Sequence, residues 1–272
     1  MQWGLANRLA QIIKPDTNRS VMLAIDHGYF QGPTSGLEKP GKTVEALLPY
    51  CDALSPTKGV LEYCLDPKTA PPIILRVSGG NSMARREELD DEILTCTIEQ
   101  AIRLNAAAVS ISIYVGTAHQ RQTIQNLATM ADEAHKYGLA VLGVTAVGAS
   151  LDELRVPGKE EDLARYLALA GRIAAEHGAD ISKTYYVPGF FAKVVGGCPV
   201  PVVIAGGKKV PEPEALEFSY RAVQDGAVGV DMGRNIFQSE NPVAMIQAVR
   251  ATVHGGQTAT EAYALYEELS RQ

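Results

Sequence analysis

The sequence predicts a single-domain α/β protein built as a TIM (β/α)8 barrel, and three observations carry that prediction. Eight short apolar runs recur along the chain: Val21–Asp26, Ala53–Pro56, Pro72–Val77, Ala107–Tyr114, Ala140–Thr145, Asp180–Tyr185, Val200–Ala205 and Val228–Met232. Each is continuous rather than alternating, as suits strands covered on both faces of a parallel sheet. Three helix-to-strand joints share one form, Lys136-Tyr137-Gly138-Leu139, Glu176-His177-Gly178-Ala179 and Gln224-Asp225-Gly226-Ala227. Glycine just past a helical pattern stops the helix, and the next strand starts at once. Finally, the first strand is followed by Asp26-His27-Gly28 and not by a GxGxxG turn, so an open dinucleotide-binding sheet is the weaker alternative.

The elements between the strands agree with this. Leu5, Leu9 and Ile13 fall at helical spacing, so a short helix is expected to precede the barrel. In Glu161–His177, Leu163, Leu167, Ala170 and Ala174 share one face, as in a helix lying on a sheet. No linker or composition break divides residues 1–272, a length that one barrel of roughly 250 residues accommodates.

Composition narrows the function classes. With 46% hydrophobic and 21% charged residues the chain reads as an ordinary soluble globular protein. A net charge of −6 without a basic stripe argues against nucleic acid. Cys51, Cys64, Cys96 and Cys198 show neither CxxC spacing nor zinc-like pairing with histidine, so no metal is expected and free thiols suit a reducing compartment. No signal-peptide core or membrane-length apolar run is present, and a cytoplasmic location is expected. His119, His135, His177 and His254 read as surface residues, and the acidic run Glu87–Glu92 as a solvated helix start.

In a barrel, chemistry gathers at the C-terminal ends of the strands. The sixth strand carries Lys183 inside the apolar run Ile181-Ser182-Lys183-Thr184-Tyr185. Burial disfavours the charged form of lysine and lowers its pKa, which suits an amine that must attack a carbonyl and form a Schiff base. The bland alternative is a side chain reaching out of a strand end to water. The seventh strand ends Gly206-Gly207-Lys208-Lys209 and the eighth Asp231-Met232-Gly233-Arg234. Barrels bind phosphate at these two loops, where glycines admit backbone N–H groups and arginine offers a forked donor. Otherwise Gly206 and Gly207 make only a tight turn and Arg234 is a surface charge. Lys208 is a further cation for that site, while Lys209 is expected to face solvent. Asp26 could move protons at a Schiff base or simply partner a barrel lysine, and His27 could be an acid–base group or a loop ring. Tyr114 and Tyr185 offer hydroxyls that could equally just pack, and Tyr186 is expected to pack.

All of these residues but Tyr114 fall in longer matching blocks, which are 22–33, 183–187, 197–201, 204–209 and 230–238. Through them the chain resembles the DhnA-type class I aldolases over nearly its whole length, and within that family the thiolase branch that processes autoinducer-2. The resemblance implies Lys183 as the Schiff-base lysine, Asp26 as a proton-transfer residue, and the Gly206–Gly207 and Gly233–Arg234 loops as the phosphate site. Sugar-phosphate aldolases of the family keep a catalytic tyrosine at the end of the fifth strand, where this chain has Val144-Thr145-Ala146-Val147-Gly148. That departure favours acetyl transfer from 3-hydroxy-5-phosphonooxypentane-2,4-dione to coenzyme A, a co-substrate rather than a bound cofactor. The alternatives are an aldolase acting on another sugar phosphate, such as fructose 1,6-bisphosphate, or a non-catalytic barrel that binds phosphorylated ligands. Which of His27, Tyr114 and Tyr185 replaces the absent tyrosine stays open. The N-terminal stretch is shorter than in the thiolase branch, which bears on assembly, and a homo-oligomer such as a decamer is implied.

Overall fold

Each of the eight apolar runs forms a strand in the computed structural model, which describes residues 2–145 and 154–271. The strands are β1 (Ser20–Ala24), β2 (Ala53–Ser55), β3 (Ile74–Arg76), β4 (Ala108–Ile113), β5 (Ala140–Thr145), β6 (Ile181–Thr184), β7 (Val202–Ala205) and β8 (Gly229–Met232). Their order is β2-β1-β8-β7-β6-β5-β4-β3, and every pairing is parallel. Isolated parallel bridges Leu54–Ile73 and Thr57–Arg76 join β2 to β3 and close the circle. A small antiparallel ribbon, Ser78–Gly79 with Ile93–Leu94, follows β3.

The period-2 alternation of a strand decides what the barrel holds. Val21 and Leu23 point outward into the main core beneath the helices, whereas Met22 points into the barrel. Ile74, Ala108, Leu142, Ile181 and Val203 share that inward layer, a dry apolar floor. Two residues further along β3 and β6 the same inward phase brings Arg76 and Lys183, and β8 contributes Asp231. The apolar floor and the charged mouth therefore follow from one alternation.

The expected N-terminal helix is present at Trp3–Ile12, and its Leu5 and Ile12 plug the base of the barrel. Arg8 fixes it by donating to the carbonyls of Tyr137 and Gly138. The three predicted joints hold: Gly138, Gly178 and Gly226 have φ of +66°, +98° and +108°, the left-handed geometry that ends a helix. In the helix Glu160–Glu176 the four residues predicted to face inward are all buried.

One histidine corrects its expected surface position. His254 is only 12% exposed, and its Nε2 lies 2.6 Å from Asp52 Oδ2 while Nδ1 lies 2.8 Å from Thr17 Oγ1. It closes the loop ends at the base of the barrel. Among the described residues no helix is long and apolar enough to cross a membrane.

Candidate active site

A cavity of about 280 Å³ opens at the C-terminal mouth, lined by residues from seven of the eight strand ends or the loops after them. All nine residues singled out from the sequence (Asp26, His27, Tyr114, Lys183, Gly206, Gly207, Lys208, Gly233 and Arg234) line it. Tyr185 and Arg155 line it too, with the Arg155 guanidinium 3.9 Å from the centre of the Tyr185 ring. Arg155 was not foreseen; it lies in the loop after β5.

Lys183 Nζ lies 2.8 Å from Asp231 Oδ2, with side chains 13% and 1% exposed. Burial alone would lower the lysine pKa, but the carboxylates of Asp231 and Asp26 outweigh it and hold the amine above its ordinary value. The expectation of a neutral amine is thereby corrected: resting Lys183 is an ammonium ion-paired with Asp231. Asp231 is itself pushed above the usual carboxylate range, since desolvation outweighs the lysine charge. Among the described residues it accepts one side-chain hydrogen bond, from Ser55 Oγ at 3.5 Å. A basic carboxylate touching the ammonium is a ready acceptor for the proton that the amine must shed before attacking a carbonyl. Asp231 is one functional candidate that residue-by-residue reading of the sequence did not single out.

Asp26 and His27 sit beside this pair at the end of β1. Burial drives the His27 pKa down to about 4; Asp26 opposes this, and the charges of Arg234, Lys183 and Arg76 add to it. The ring is therefore neutral at ordinary pH, packs edge-on against Phe237, and keeps Nδ1 without a hydrogen-bond partner among the described residues. A neutral imidazole has an acceptor nitrogen for a proton in transit, while the same burial disfavours a lasting imidazolium.

The β3–β4 wall is organised by a second buried pair. Arg76 Nη2 meets Glu92 Oε2 at 2.8 Å, and Glu92 is fully buried. This corrects the reading of 87–92 as one solvated run: Glu87 is exposed, but Glu92 turns inward to accept from Tyr29, Ser78 and Tyr114. The Tyr114 hydroxyl, 2.8 Å from Glu92 Oε1, is thus engaged, and burial beside that carboxylate pushes its pKa up. Thr145 at the end of β5 donates its hydroxyl to the Lys183 carbonyl at 2.9 Å. The residues after it in the expected stretch, Ala146, Val147 and Gly148, lie outside the described residues.

The loops after β7 and β8 come together as predicted. Asn235 ties them, donating to the Gly206 carbonyl at 2.6 Å and accepting from the Val210 N–H at 2.9 Å. Gly233 is required by close approach: a Cβ there would stand 2.1 Å from the Ala24 carbonyl oxygen and 2.7 Å from His27 Cε1. Arg234 Nε is buried with no hydrogen-bond partner among the described residues, and desolvation lowers its pKa. Lys208 is exposed at the rim, whereas Lys209 corrects its expected solvent-facing position by pairing with Glu212 at 2.8 Å. Arg76 and Lys183 are neutralised in place by carboxylates. Arg155, Lys208 and Arg234 have no carboxylate within 4.0 Å among the described residues, so the mouth is locally positive in an acidic protein. That charge distribution suits an anion.

Comparison with known proteins agrees with this geometry. The family model described as DeoC/LacD family aldolase matches residues 20–239. The 3-hydroxy-5-phosphonooxypentane-2,4-dione thiolase of Photorhabdus laumondii subsp. laumondii is 48% identical over 98% of this chain and 88% of its own. The enzyme of that name from Yersinia pseudotuberculosis serotype O:1b is 47% identical over the same shares. Among solved structures, an archaeal fructose 1,6-bisphosphate aldolase superposes with a TM-score of 0.79 at 27% identity, over 93% of this chain and 100% of that one.

Proposed function

The chain belongs to the DeoC/LacD family of aldolases, and on that footing we propose that it transfers the acetyl group of 3-hydroxy-5-phosphonooxypentane-2,4-dione to coenzyme A. Dihydroxyacetone phosphate is the second product. The observation that carries this reading is the Lys183–Asp231 pair placed beside cations that have no carboxylate within 4.0 Å among the described residues, in a chain 48% identical to a thiolase of that name.

In this mechanism the phosphate rests on the Gly206–Gly207 and Gly233–Arg234 loops. Asp231 takes the Lys183 proton, and the free amine condenses with the C4 ketone to give an imine. The thiol of coenzyme A loses its proton to His27 or Asp26 and attacks C2. Collapse breaks the C2–C3 bond, and its electron pair passes into the imine as an enamine. Protonation at C3 and hydrolysis release dihydroxyacetone phosphate. Coenzyme A is a co-substrate here; cytoplasmic location and a homo-oligomeric state belong to the same proposal.

Retro-aldol cleavage of fructose 1,6-bisphosphate is the second reading, favoured by the likeness to the archaeal aldolase. Against it stands Thr145, where those enzymes keep a phenolic acid and where the hydroxyl is bonded to the backbone. Product analysis with the phosphorylated dione decides between them. Acetyl-coenzyme A and dihydroxyacetone phosphate should appear in equal amounts and only when coenzyme A is supplied. Brisk cleavage of fructose 1,6-bisphosphate without coenzyme A would reject the thiolase reading.

A further inference from the structure

The phosphate and the acetyl carbonyl lie at opposite ends of the substrate, with the imine carbon between them. In the barrel order, the ends of β3 and β4 stand across the mouth from β7 and β8. A substrate anchored at Gly207 and Arg234 and joined to Lys183 therefore directs its acetyl end toward the wall that holds Arg76 and Tyr114. Thiol attack there converts a carbonyl into an oxyanion, which needs a donor. The Tyr29 and Tyr114 hydroxyls already donate to Glu92, at 2.7 and 2.8 Å. Arg76 differs. Its Nε donates to the Ser78 carbonyl at 2.9 Å and its Nη2 to Glu92 at 2.8 Å, but Nη1 makes no hydrogen bond among the described residues. Asp26 Oδ2 stands 3.7 Å from Nη1, beyond hydrogen-bond reach. The side chain is 4% exposed and lines the cavity.

We propose that Arg76 is a catalytic residue of the acetyl transfer: Nη1 donates to the acetyl carbonyl oxygen and holds the oxyanion formed on it, while Glu92 is the positioning residue that fixes the guanidinium. This rests on the thiolase reading above. As the carbon–sulfur bond forms, the carbonyl electron pair moves onto oxygen beside Nη1. On collapse the pair returns, the C2–C3 bond breaks into the enamine, and the thiol proton, carried by the neighbouring base, ends on C3. A guanidinium suits this role because it stabilises charge without giving up its own proton. Four groups from four separate stretches of the chain hold it in place before substrate arrives: Ser78, Glu92, Tyr29 and Ser112.

Loss of one oxyanion donor lowers kcat by about 10²–10³. Arg76→Gln alone would strand Glu92 as an unpaired buried carboxylate. The test therefore compares Glu92→Gln with the double variant Arg76→Gln/Glu92→Gln in the full chain. Two readouts are taken: acetyl-coenzyme A release from the phosphorylated dione, and borohydride trapping of dihydroxyacetone phosphate on Lys183, which passes through no such oxyanion. The double variant should release acetyl-coenzyme A about a hundredfold or more slower than Glu92→Gln while still trapping the imine. A difference below about tenfold, or an equal loss of trapping, would overturn the assignment. If the unaltered enzyme releases no acetyl-coenzyme A, the thiolase reading itself fails, and the same assay shows that before any variant is compared.

Discussion

Two aspartates, one at each end of the barrel, are equally hidden from water and differently satisfied. Asp52, 3% exposed just before β2, accepts from the Val21 N–H at 2.7 Å, Arg250 at 2.9 Å and His254 at 2.6 Å. Burial pushes its pKa up, but these donors more than cancel that and hold the carboxyl below its usual value. Asp231, 1% exposed at the top of β8, has among the described residues Lys183 at 2.8 Å and Ser55 at 3.5 Å as its side-chain partners; there burial prevails and the pKa rises. A buried charge with a full set of donors fastens the fold. One with a single counter-ion, itself able to give up a proton, is equipped for chemistry.

Exchanging each carboxylate for an amide separates the two roles. Asp231→Asn should lower kcat by about 10²–10⁴, the usual range for a proton-transfer group, and lower the Tm far less than Asp52→Asn does, because Lys183 can shed its proton where Arg250 cannot. Asp52→Asn should do the reverse. It strands His254 and Arg250, and because Arg250 is part-exposed the loss is about 2–4 kcal/mol, a fall in Tm of about 5–10 °C at unchanged kcat. If both variants lost stability alike and neither lost turnover, the distinction between the two ends would be wrong.

Acid sharpens the same contrast. Asp52 has a folded pKa below its unfolded one, so its stabilisation is present above the ordinary carboxylate range and is lost as pH falls through the folded value. His27 acts in a higher window. Folded, it titrates at about 4 against 6.5 unfolded, so below pH 6.5 the unfolded chain binds a proton that the folded chain refuses. Stability should fall between pH 6.5 and 4 by up to about 3 kcal/mol, read as a shrinking urea midpoint. His27→Gln should flatten that limb; an unchanged slope would mean that the ring is solvated.

Smaller effects are expected in the phosphate cradle. Arg234→Ala removes a charge-assisted donor worth roughly 1.5–3 kcal/mol, so kcat/KM for the phosphorylated substrate should fall by about one to two decades. A dephosphorylated analogue should show no such drop; equal losses on both would make Arg234 structural. Gly207 has φ of +69° with the Tyr185 ring no nearer than 3.8 Å to an added Cβ. Gly207→Ala should therefore cost only about 1 kcal/mol of backbone strain, seen as a severalfold rise in KM.

Much of this was legible in the sequence, for identifiable reasons. Continuous apolar runs and the glycines at 138, 178 and 226 are local signals, and both the barrel and its joints followed from them. Lys183 and the two glycine-bearing loops were legible because barrel chemistry sits at strand ends. The Arg76–Glu92 pair was not, although Arg76 interrupts Ile73-Ile74-Leu75 and Val77 just as Lys183 interrupts its own strand. Its partner hid at the end of an acidic run whose earlier members are solvated. Asp231 was visible as a residue at the end of β8, but its pairing with Lys183 joins strands two places apart in the barrel, a relation that spacing along the chain does not encode. His254 was misplaced for the same reason: Asp52, which buries it, is 202 positions away.

Lys183, in the proposed function, is the nucleophile of the site. Borohydride reduction of the full chain with dihydroxyacetone phosphate, followed by peptide mass mapping, tests it most directly. One reduced adduct is expected, on the peptide carrying Lys183 and absent from Lys183→Ala. An adduct on Lys208 instead, or none on any lysine, would contradict it.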